Sequence, residues 1–278
     1  MHRRKFLFVV FCLVILPVIS RGQHVREMAE KEWLYSISRN AVNKAAQPNK
    51  FPQASPGYAL YFMQAGAVKA PYIVCVPAAY NPALPSKLVV FLHGAILARD
   101  SFQYKDPAIA DEPVFSIADV YNTIVVFPFG RSGFMWPGQV AADENILEII
   151  KQVAQHYNID KKKIYLGGIS MGGIATWWFI TNKPDVFAGF YTFSAMPRLA
   201  SGPVQFSNIT KARPLFSMNA KDDPGFSYDE VHAIYEQHEN EAPGWHFGSV
   251  ETGGHRFIYN GNEGKEIVKK LLGNLLEQ

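Results

Sequence analysis

The stretch that decides the fold is KIYLGGISMGGIATWWF, residues 163–179. A β-rich run from Lys163 to Gly167 enters the turn GISMG, residues 168–172, and a helical pattern from Met171 to Asn182 follows at once. The pattern G-x-S-x-G between a strand and a helix is a nucleophile elbow, a tight turn that strains the backbone of the serine and lifts its hydroxyl above the sheet. We therefore predict a nucleophilic serine at Ser170.

Apolar strand patterns alternate with amphipathic helical patterns on both sides of this turn. Most of the strands are continuous apolar runs, as in a parallel sheet that is covered on both faces, and helices between such strands form right-handed crossovers. The pattern predicts an α/β fold with a mostly parallel eight-stranded sheet between helices and no large cap domain. The predicted strands are Tyr58–Gln64 and Tyr72–Val76, which form a hairpin with Gly66 and Pro71 between them, and then Lys87–Leu92, Thr123–Phe127, Lys163–Gly167, Phe187–Phe193, Pro214–Met218 and Trp245–Val250. The other predicted helices are Ala141–His156, Ser227–Glu239 and Gly264–Leu276.

A serine hydroxyl needs a base to take its proton, and four histidines follow Ser170 in the chain. His232 and His238 lie within a predicted helix, and His246 lies early in the last predicted strand. His255 lies in a glycine-containing loop after that strand, and the active-site groups of such sheets lie beyond the carboxyl ends of the strands. We therefore predict His255 as the base.

The base in turn needs a carboxylate that orients it. The loop after the strand Pro214–Met218 contains two adjacent candidates, Asp222 and Asp223, and either could instead cap the following helix. We favour Asp223, because Pro224 fixes the turn that follows it, while Asp222 stays open as the alternative.

The tetrahedral intermediate of such chemistry needs two backbone N–H donors. We predict one at Met171, the residue after the nucleophile, and one at Ala95, in the loop that follows Leu92. His93, Phe134 and Trp136 are candidate substrate-binding residues: His93 adjoins the predicted oxyanion loop, and the two aromatic residues lie in a loop rich in glycine and proline. For His93 we also predict hydrogen bonds that hold the loop, with a merely buried histidine as the alternative.

The amino terminus has the composition of a secretory signal peptide. Residues 1–22 carry a basic start, an apolar run from Phe6 to Ile19 that is too short for a comfortable membrane span, and a small-residue exit. We predict a signal peptide at 1–22, a helical extension and linker at 23–57 and a catalytic domain at 58–278, in a protein that is secreted or periplasmic. A retained signal anchor is the alternative.

Removal of residues 1–22 changes the charge of the chain. The full sequence has a formal net charge of +3, and the remainder has 23 basic and 24 acidic side chains, or about −1. This balance gives no electrostatic reason to expect nucleic acid or a membrane surface as a partner. Because Cys75 is the only cysteine left, the remainder cannot form an intramolecular disulfide or a cysteine-based metal site. We expect no cofactor and no metal.

Four segments together resemble the α/β-hydrolase superfamily, and within it the secreted esterases grouped with polyhydroxybutyrate depolymerases and acetylxylan or feruloyl esterases. They are VPAAYNPALPSKLVVFLHGA, HYNIDKKKIYLGGISMGG, NAKDDP and ETGGH, and the resemblance covers about residues 58–275. It implies a serine carboxylic-ester hydrolase that forms an acyl-enzyme, with a small-molecule or polysaccharide-linked ester as its substrate. It also places the acid on Asp223. The chain departs from the pattern at Asn219-Ala220, where the family often has His-Gly.

Two other readings of the same motifs lead to different functions. Peptidases of the prolyl-oligopeptidase kind share the fold and the elbow, although this chain has no room for their propeller domain. A non-catalytic binding protein with a hydrolase fold would not need the serine, acid and histidine in this order.

Overall fold

The computed structural model of the chain describes residues 57–96 and 101–278. The predicted signal peptide at 1–22 and the extension at 23–57, apart from Gly57, lie outside the described residues. A single sheet forms the centre of the fold. Its eight strands are β1 (Gly57–Ala65), β2 (Val68–Val76), β3 (Ser86–Leu92), β4 (Thr123–Pro128), β5 (Ile159–Ile169), β6 (Gly189–Phe193), β7 (Leu215–Ala220) and β8 (Trp245–Val250).

The strand order across the sheet is β1-β2-β4-β3-β5-β6-β7-β8. β2 pairs antiparallel with β1 and β4, and every other pair is parallel. This arrangement confirms the predicted mostly parallel eight-stranded sheet. After β3 the chain moves outward to β4 and then returns past β3 to β5, so the order reverses at β3. A reversal of this kind opens a crevice at the carboxyl ends of the strands beside it, which here are β3 and β5.

Helices cover both faces of the sheet. They are α1 (Ile117–Val120), α2 (Val140–His156), α3 (Met171–Asn182), α4 (Tyr228–His238) and α5 (Gly261–Leu276). Buried side chains of α2 and α3 share one core with Leu88 and Val90 of β3, whereas those of α1 and α5 share the opposite core with Val89 and Phe91. Because alternate residues of a strand face opposite sides, a strand between two cores must be apolar throughout. In the described part of the chain, no large cap domain interrupts this order, and no helix is long and apolar enough to cross a membrane.

Some bounds differ from those predicted. β5 begins at Ile159, four residues before the predicted start, because the exposed polar run 161–163 continues the strand beyond its buried part. The hairpin turns at Gly66, which has a φ of 57°, whereas Pro71 lies inside β2. The sixth strand begins at Gly189 because a 3-10 turn, Pro184–Val186, precedes it.

Candidate active site

Ser170 lies at the reversal of the sheet order, between the end of β5 and the start of α3. Its backbone has a φ of 55° and a ψ of −118°, a conformation that residues with a side chain rarely adopt. Such strain is stored where the surrounding structure over-determines it, and it is a feature of functional sites. The turn places the side chain at the amino end of α3, where the helix dipole favours negative charge.

Two glycines allow this turn to form. A Cβ added at Gly168 would lie 2.1 Å from the carbonyl oxygen of Leu92, and one added at Gly172 would lie 1.9 Å from the same oxygen. The elbow therefore packs directly against the backbone at the end of β3. Any side chain at these two positions would push the elbow away from the loop that begins at His93.

The structure brings the three predicted catalytic side chains together. His255 Nε2 lies 2.8 Å from Ser170 Oγ, and His255 Nδ1 lies 2.9 Å from Asp223 Oδ2. With Nδ1–H donated to the carboxylate, Nε2 carries the lone pair that faces the serine hydroxyl. The Asp223 side chain is fully buried, whereas the His255 side chain is 27% exposed. This is the arrangement of a nucleophile, a base and an orienting acid.

The two adjacent aspartates have different partners. Asp223 Oδ1 accepts the N–H groups of Gly225 at 2.7 Å and Phe226 at 3.1 Å, so its own loop holds the carboxylate toward His255. Asp222 instead accepts the N–H groups of Gly253 at 3.1 Å and Gly254 at 2.8 Å, just before His255. Asp223 contacts the imidazole, and Asp222 shapes the loop that carries it.

The two predicted oxyanion donors lie on segments next to Ser170. Met171 is the first residue of α3, and the first N–H groups of a helix have no partner within the helix. Ala95 is exposed and lines the cavity beside Ser170. Gly94, the residue before Ala95, lies close to Ser170, since a Cβ added at Gly94 would be 3.4 Å from Ser170 Cβ.

Ser170 and His255 open into a cavity of about 630 Å³. Its wall comes from the end of β3, from the described parts of the loop 95–113 and from the segment 255–259. Apolar side chains contribute to its lining: Ile96, Ala108, Ile109, Phe127, Phe129 and Ile169. Such a cavity is large enough for a small ester.

His93 lines the cavity, but both of its ring nitrogens are occupied. Nε2 accepts the N–H of Gly130 at 2.8 Å, and Nδ1 lies 2.7 Å from the carbonyl oxygen of Gly94, to which it donates. Burial lowers the pKa of His93 to about 4, although the hydrogen bond to Gly94 opposes the shift. The imidazole is therefore neutral and joins the loop after β3 to the loop after β4. His93 thus makes the hydrogen bonds that hold the loop and also lines the cavity.

The neutral His93 predicts a pH dependence of stability. In the unfolded chain the ring of His93 has a pKa of about 6.5, whereas in the folded protein its pKa is about 4. Stability from this residue is thus complete above pH 6.5 and is lost as the pH falls toward 4. We expect the change in unfolding free energy between pH 7 and pH 5, measured by urea denaturation, to be smaller in His93→Gln than in the parent by about 2 kcal/mol.

The matched control is His246→Gln, which makes the same change at an exposed histidine. It should keep the pH dependence of the parent. Equal pH dependence in His93→Gln and the parent would show that the folded protein accepts a proton at His93.

Phe134 and Trp136 are not among the residues that line this cavity, which corrects their prediction as a substrate-binding wall. They are 3% and 2% exposed. Trp136 Nε1–H donates to the carbonyl oxygen of His93 at 3.2 Å, and Phe134 packs with Ala70 and Ala142. The loop folds inward because the Trp136 indole donates to the backbone carbonyl of His93, just after β3. Both rings therefore pack in the core.

Sequence reasoning missed a group of polar cavity residues: Gln103, Asp106, Glu112, Arg256 and Tyr259. The first three lie in the loop 95–113, whose length was the only signal that it overhangs the site. Arg256 follows His255 directly, and Tyr259 lies four residues after it. A short 3-10 helix, Gly254–Tyr259, turns them toward the same cavity as the base.

Solved structures with a similar fold include several hydrolases. A feruloyl esterase module from Clostridium thermocellum, complexed with sinapinate, has a TM-score of 0.61 and 16% identity, over 83% of this chain and 94% of that one. An S-formylglutathione hydrolase from Staphylococcus aureus has a TM-score of 0.59 and 16% identity, over 78% and 98%. The chain has the α/β-hydrolase fold. A dipeptidyl aminopeptidase IV structure from Bacteroides ovatus, described as putative in its name, shares the fold with a TM-score of 0.61 and 13% identity, over 80% of this chain and 36% of that one.

Sequence comparisons relate parts of the chain to two kinds of enzyme. The prolyl oligopeptidase family matches residues 135–196, the segment that contains the elbow. A bifunctional acetylxylan esterase/xylanase from Neocallimastix patriciarum is 29% identical over 130 residues, which are 45% of this chain and 18% of that protein. A poly(3-hydroxyalkanoate) depolymerase C from Paucimonas lemoignei is 25% identical over 181 residues, or 59% and 41%. The matched segments span less than half the length of these curated relatives.

Proposed function

We propose that the protein is a serine carboxylic-ester hydrolase. The observation that carries the proposal is the continuous line of hydrogen bonds from Ser170 through His255 to Asp223, at 2.8 and 2.9 Å, which opens into a cavity. The two curated relatives, both enzymes whose names denote ester cleavage, support it. Acetyl or feruloyl esters of polysaccharides are the substrates that the comparisons favour.

The reaction begins with attack of Ser170 Oγ on the carbonyl carbon of the ester. His255 Nε2 takes the serine proton, and the buried carboxylate of Asp223 stabilises the imidazolium that results. The N–H groups of Met171 and Ala95 donate to the negatively charged oxygen of the tetrahedral intermediate. Its collapse transfers the proton from His255 to the leaving alcohol oxygen and leaves an acyl group on the serine.

Water completes the cycle. His255 takes a proton from a water molecule, which attacks the acyl carbon through a second tetrahedral intermediate. Collapse returns the proton to Ser170 Oγ and releases the carboxylic acid. Each step requires Nε2 to alternate between base and acid. This alternation is possible because Nδ1 stays hydrogen-bonded to Asp223 throughout.

Peptide hydrolysis is the second candidate, and the match of residues 135–196 to the prolyl oligopeptidase family favours it. The same three side chains would cleave an amide, with His255 protonating an amine instead of an alcohol. The two candidates thus differ in the bond that is cleaved, and a substrate screen separates them.

The test is a screen of the purified protein on acetyl, feruloyl and longer-chain esters beside peptide anilides. We expect turnover of at least one ester class and labelling of Ser170 by a fluorophosphonate probe. Turnover of anilides alone would replace ester hydrolysis with peptide hydrolysis. Failure of the probe to label the protein would favour a non-catalytic binding function.

We also propose that the protein acts outside the cytoplasm, as a secreted or periplasmic enzyme without a stable membrane anchor. The support is the composition of residues 1–22, which have the basic start, apolar run and small-residue exit of a signal peptide. Sequencing of the amino terminus of the protein recovered from the medium or periplasm tests this. A mature chain that begins near residue 23 is the expected result, and a chain that still begins at residue 1 contradicts it.

A further inference from the structure

Glu112 is a carboxyl group in the active-site cavity that the triad chemistry does not use. It lines the cavity together with Ser170 and His255. The Tyr259 hydroxyl donates a hydrogen bond to the carboxyl group, whereas Oε2 is buried and has no hydrogen-bond partner. A buried polar atom without a partner costs about 1–3 kcal/mol, and a ligand group that paired with it would remove this cost.

The charged groups around Glu112 act on it in opposite directions. Burial raises its pKa to about 7, and the carboxylate of Asp106 also raises it. The hydrogen bond from Tyr259 and the positive charge of Arg256 lower the pKa, but not enough to reverse the shift. The Arg256 guanidinium lies over the Tyr259 ring, 5.0 Å from its centroid. Near neutral pH the carboxyl group is therefore present both as an acid that can donate and as a carboxylate that only accepts.

The rest of the cavity sets the kind of ligand that suits this group. Ile109, Phe127 and Phe129 present apolar surface, so a wholly apolar ester would leave Glu112 unpaired. A carboxylate on the substrate would be repelled by the ionised form, and an ammonium group would be repelled by the positive charge of Arg256, which already acts on this carboxyl group. A hydroxyl group both donates and accepts, and it fits both protonation states.

We infer that Glu112 is a specificity-determining residue that hydrogen-bonds a hydroxyl group of the ester substrate. This inference rests on the proposed ester hydrolysis. Glu112 would then distinguish esters that carry this hydroxyl group, on either the acyl part or the alcohol part, from esters that lack it. Recognition of this kind discriminates strongly, because a substrate that lacks the hydroxyl leaves a buried polar group unpaired.

The test compares two pairs of esters that differ by one hydroxyl. Methyl 3-hydroxybutyrate and methyl butyrate differ in the acyl part, and 2-hydroxyethyl acetate and ethyl acetate differ in the alcohol part. For each pair, the ratio of kcat/KM for the hydroxylated ester to that for the plain ester is measured in the parent and in Glu112→Leu. We expect the ratio of one pair to fall about tenfold in Glu112→Leu, the size of one lost hydrogen bond. The pair that responds identifies the part of the ester that reaches Glu112.

Glu112→Gln keeps a neutral donor and acceptor but cannot ionise. It should retain most of the ratio. Because a hydrogen bond to an ionised carboxylate is stronger than one to a neutral group, we expect the ratio in the parent to rise between pH 6 and 8, and Glu112→Gln should lose this rise. The chemistry at Ser170 is common to both esters of a pair, so its own dependence on pH cancels in the ratio. Glu148→Leu, at an exposed glutamate of α2 outside the cavity, should leave both ratios unchanged.

Three results would overturn the inference. The first is that both ratios in Glu112→Leu stay within twofold of the parent while the plain esters are still hydrolysed. The second result decides the question if Glu112→Leu does not fold. It is that the kcat/KM ratio has the same pH dependence in Glu112→Gln as in the parent. The third is inertness of the parent toward all four esters. If the parent also hydrolyses no ester of the screen, the proposed function fails as well, whereas the first two results leave ester hydrolysis intact.

Discussion

Ser170→Ala is expected to reduce the turnover of carboxylic esters by about 10⁶-fold, because no other group takes over the role of the nucleophile. The change removes only Oγ, whose hydrogen bond is to His255 at 2.8 Å. The melting temperature should therefore stay within a few degrees of the parent. The measurement is kcat on the ester that the screen identifies, together with a thermal unfolding curve for each protein.

Ser194→Ala is the matched control. Ser194 follows β6, the neighbour of β5, and its φ of 43° also lies in the left-handed region. Its Oγ is buried without a hydrogen-bond partner, so its removal should leave ester turnover within a few-fold of the parent. Turnover by Ser170→Ala above about one hundredth of the parent rate would show that the reaction does not proceed through this serine.

The sheet could be predicted from the sequence because burial on both faces requires strands that are continuous apolar runs. A strand such as Leu88–Leu92 is apolar at every position, since alternate side chains enter two different cores. The predicted start of β5 was late for the same physical reason. Lys161–Lys163 lie beyond both cores, and nothing in their polarity distinguishes an exposed strand end from a loop.

In the candidate site, too, residues placed by local sequence could be predicted, whereas residues placed by distant partners could not. Ser170 lies in a turn that five consecutive residues, 168–172, determine. Its two glycines, Gly168 and Gly172, lie where the backbone of Leu92 approaches. His255 followed from its place after the last strand. By contrast, the loop aromatics were misread, because the inward fold of their loop depends on the carbonyl group of His93, a partner more than 40 residues away.

Glu112 shows the limit of sequence reasoning most clearly. A single glutamate in a long loop has no signature, and its neighbour Tyr259 lies almost 150 residues further along the chain. Its significance comes from two properties that only three-dimensional structure supplies: a buried oxygen without a partner and a place in the same cavity as the nucleophile. Specificity in this fold is set by loops, whereas the catalytic groups are set by the ends of strands.

Asp223→Asn is expected to lower kcat on the same ester by about 10⁴-fold, whereas Asp222→Asn should lower it only a few-fold. The physical reason is the tautomer of His255. A carboxylate accepts the Nδ1–H and leaves the lone pair on Nε2, but an amide can donate to Nδ1, which moves the proton to Nε2 and prevents it from acting as a base. The Oδ1 of an asparagine at position 223 could still accept the N–H groups of Gly225 and Phe226, so the loop should survive the change.

Asp222→Asn is the matched control, because it makes the same chemical change one residue away. Asp222 accepts the N–H groups of Gly253 and Gly254 on its two different oxygens, and an asparagine keeps one oxygen that can accept one of them. The loop that carries His255 should therefore hold its shape without its second acceptor. Kinetics of both variants at the same pH, beside their melting temperatures, provide the measurement. A larger loss of kcat in Asp222→Asn than in Asp223→Asn would transfer the role of the orienting acid to Asp222, despite the 2.9 Å contact between Asp223 and the imidazole.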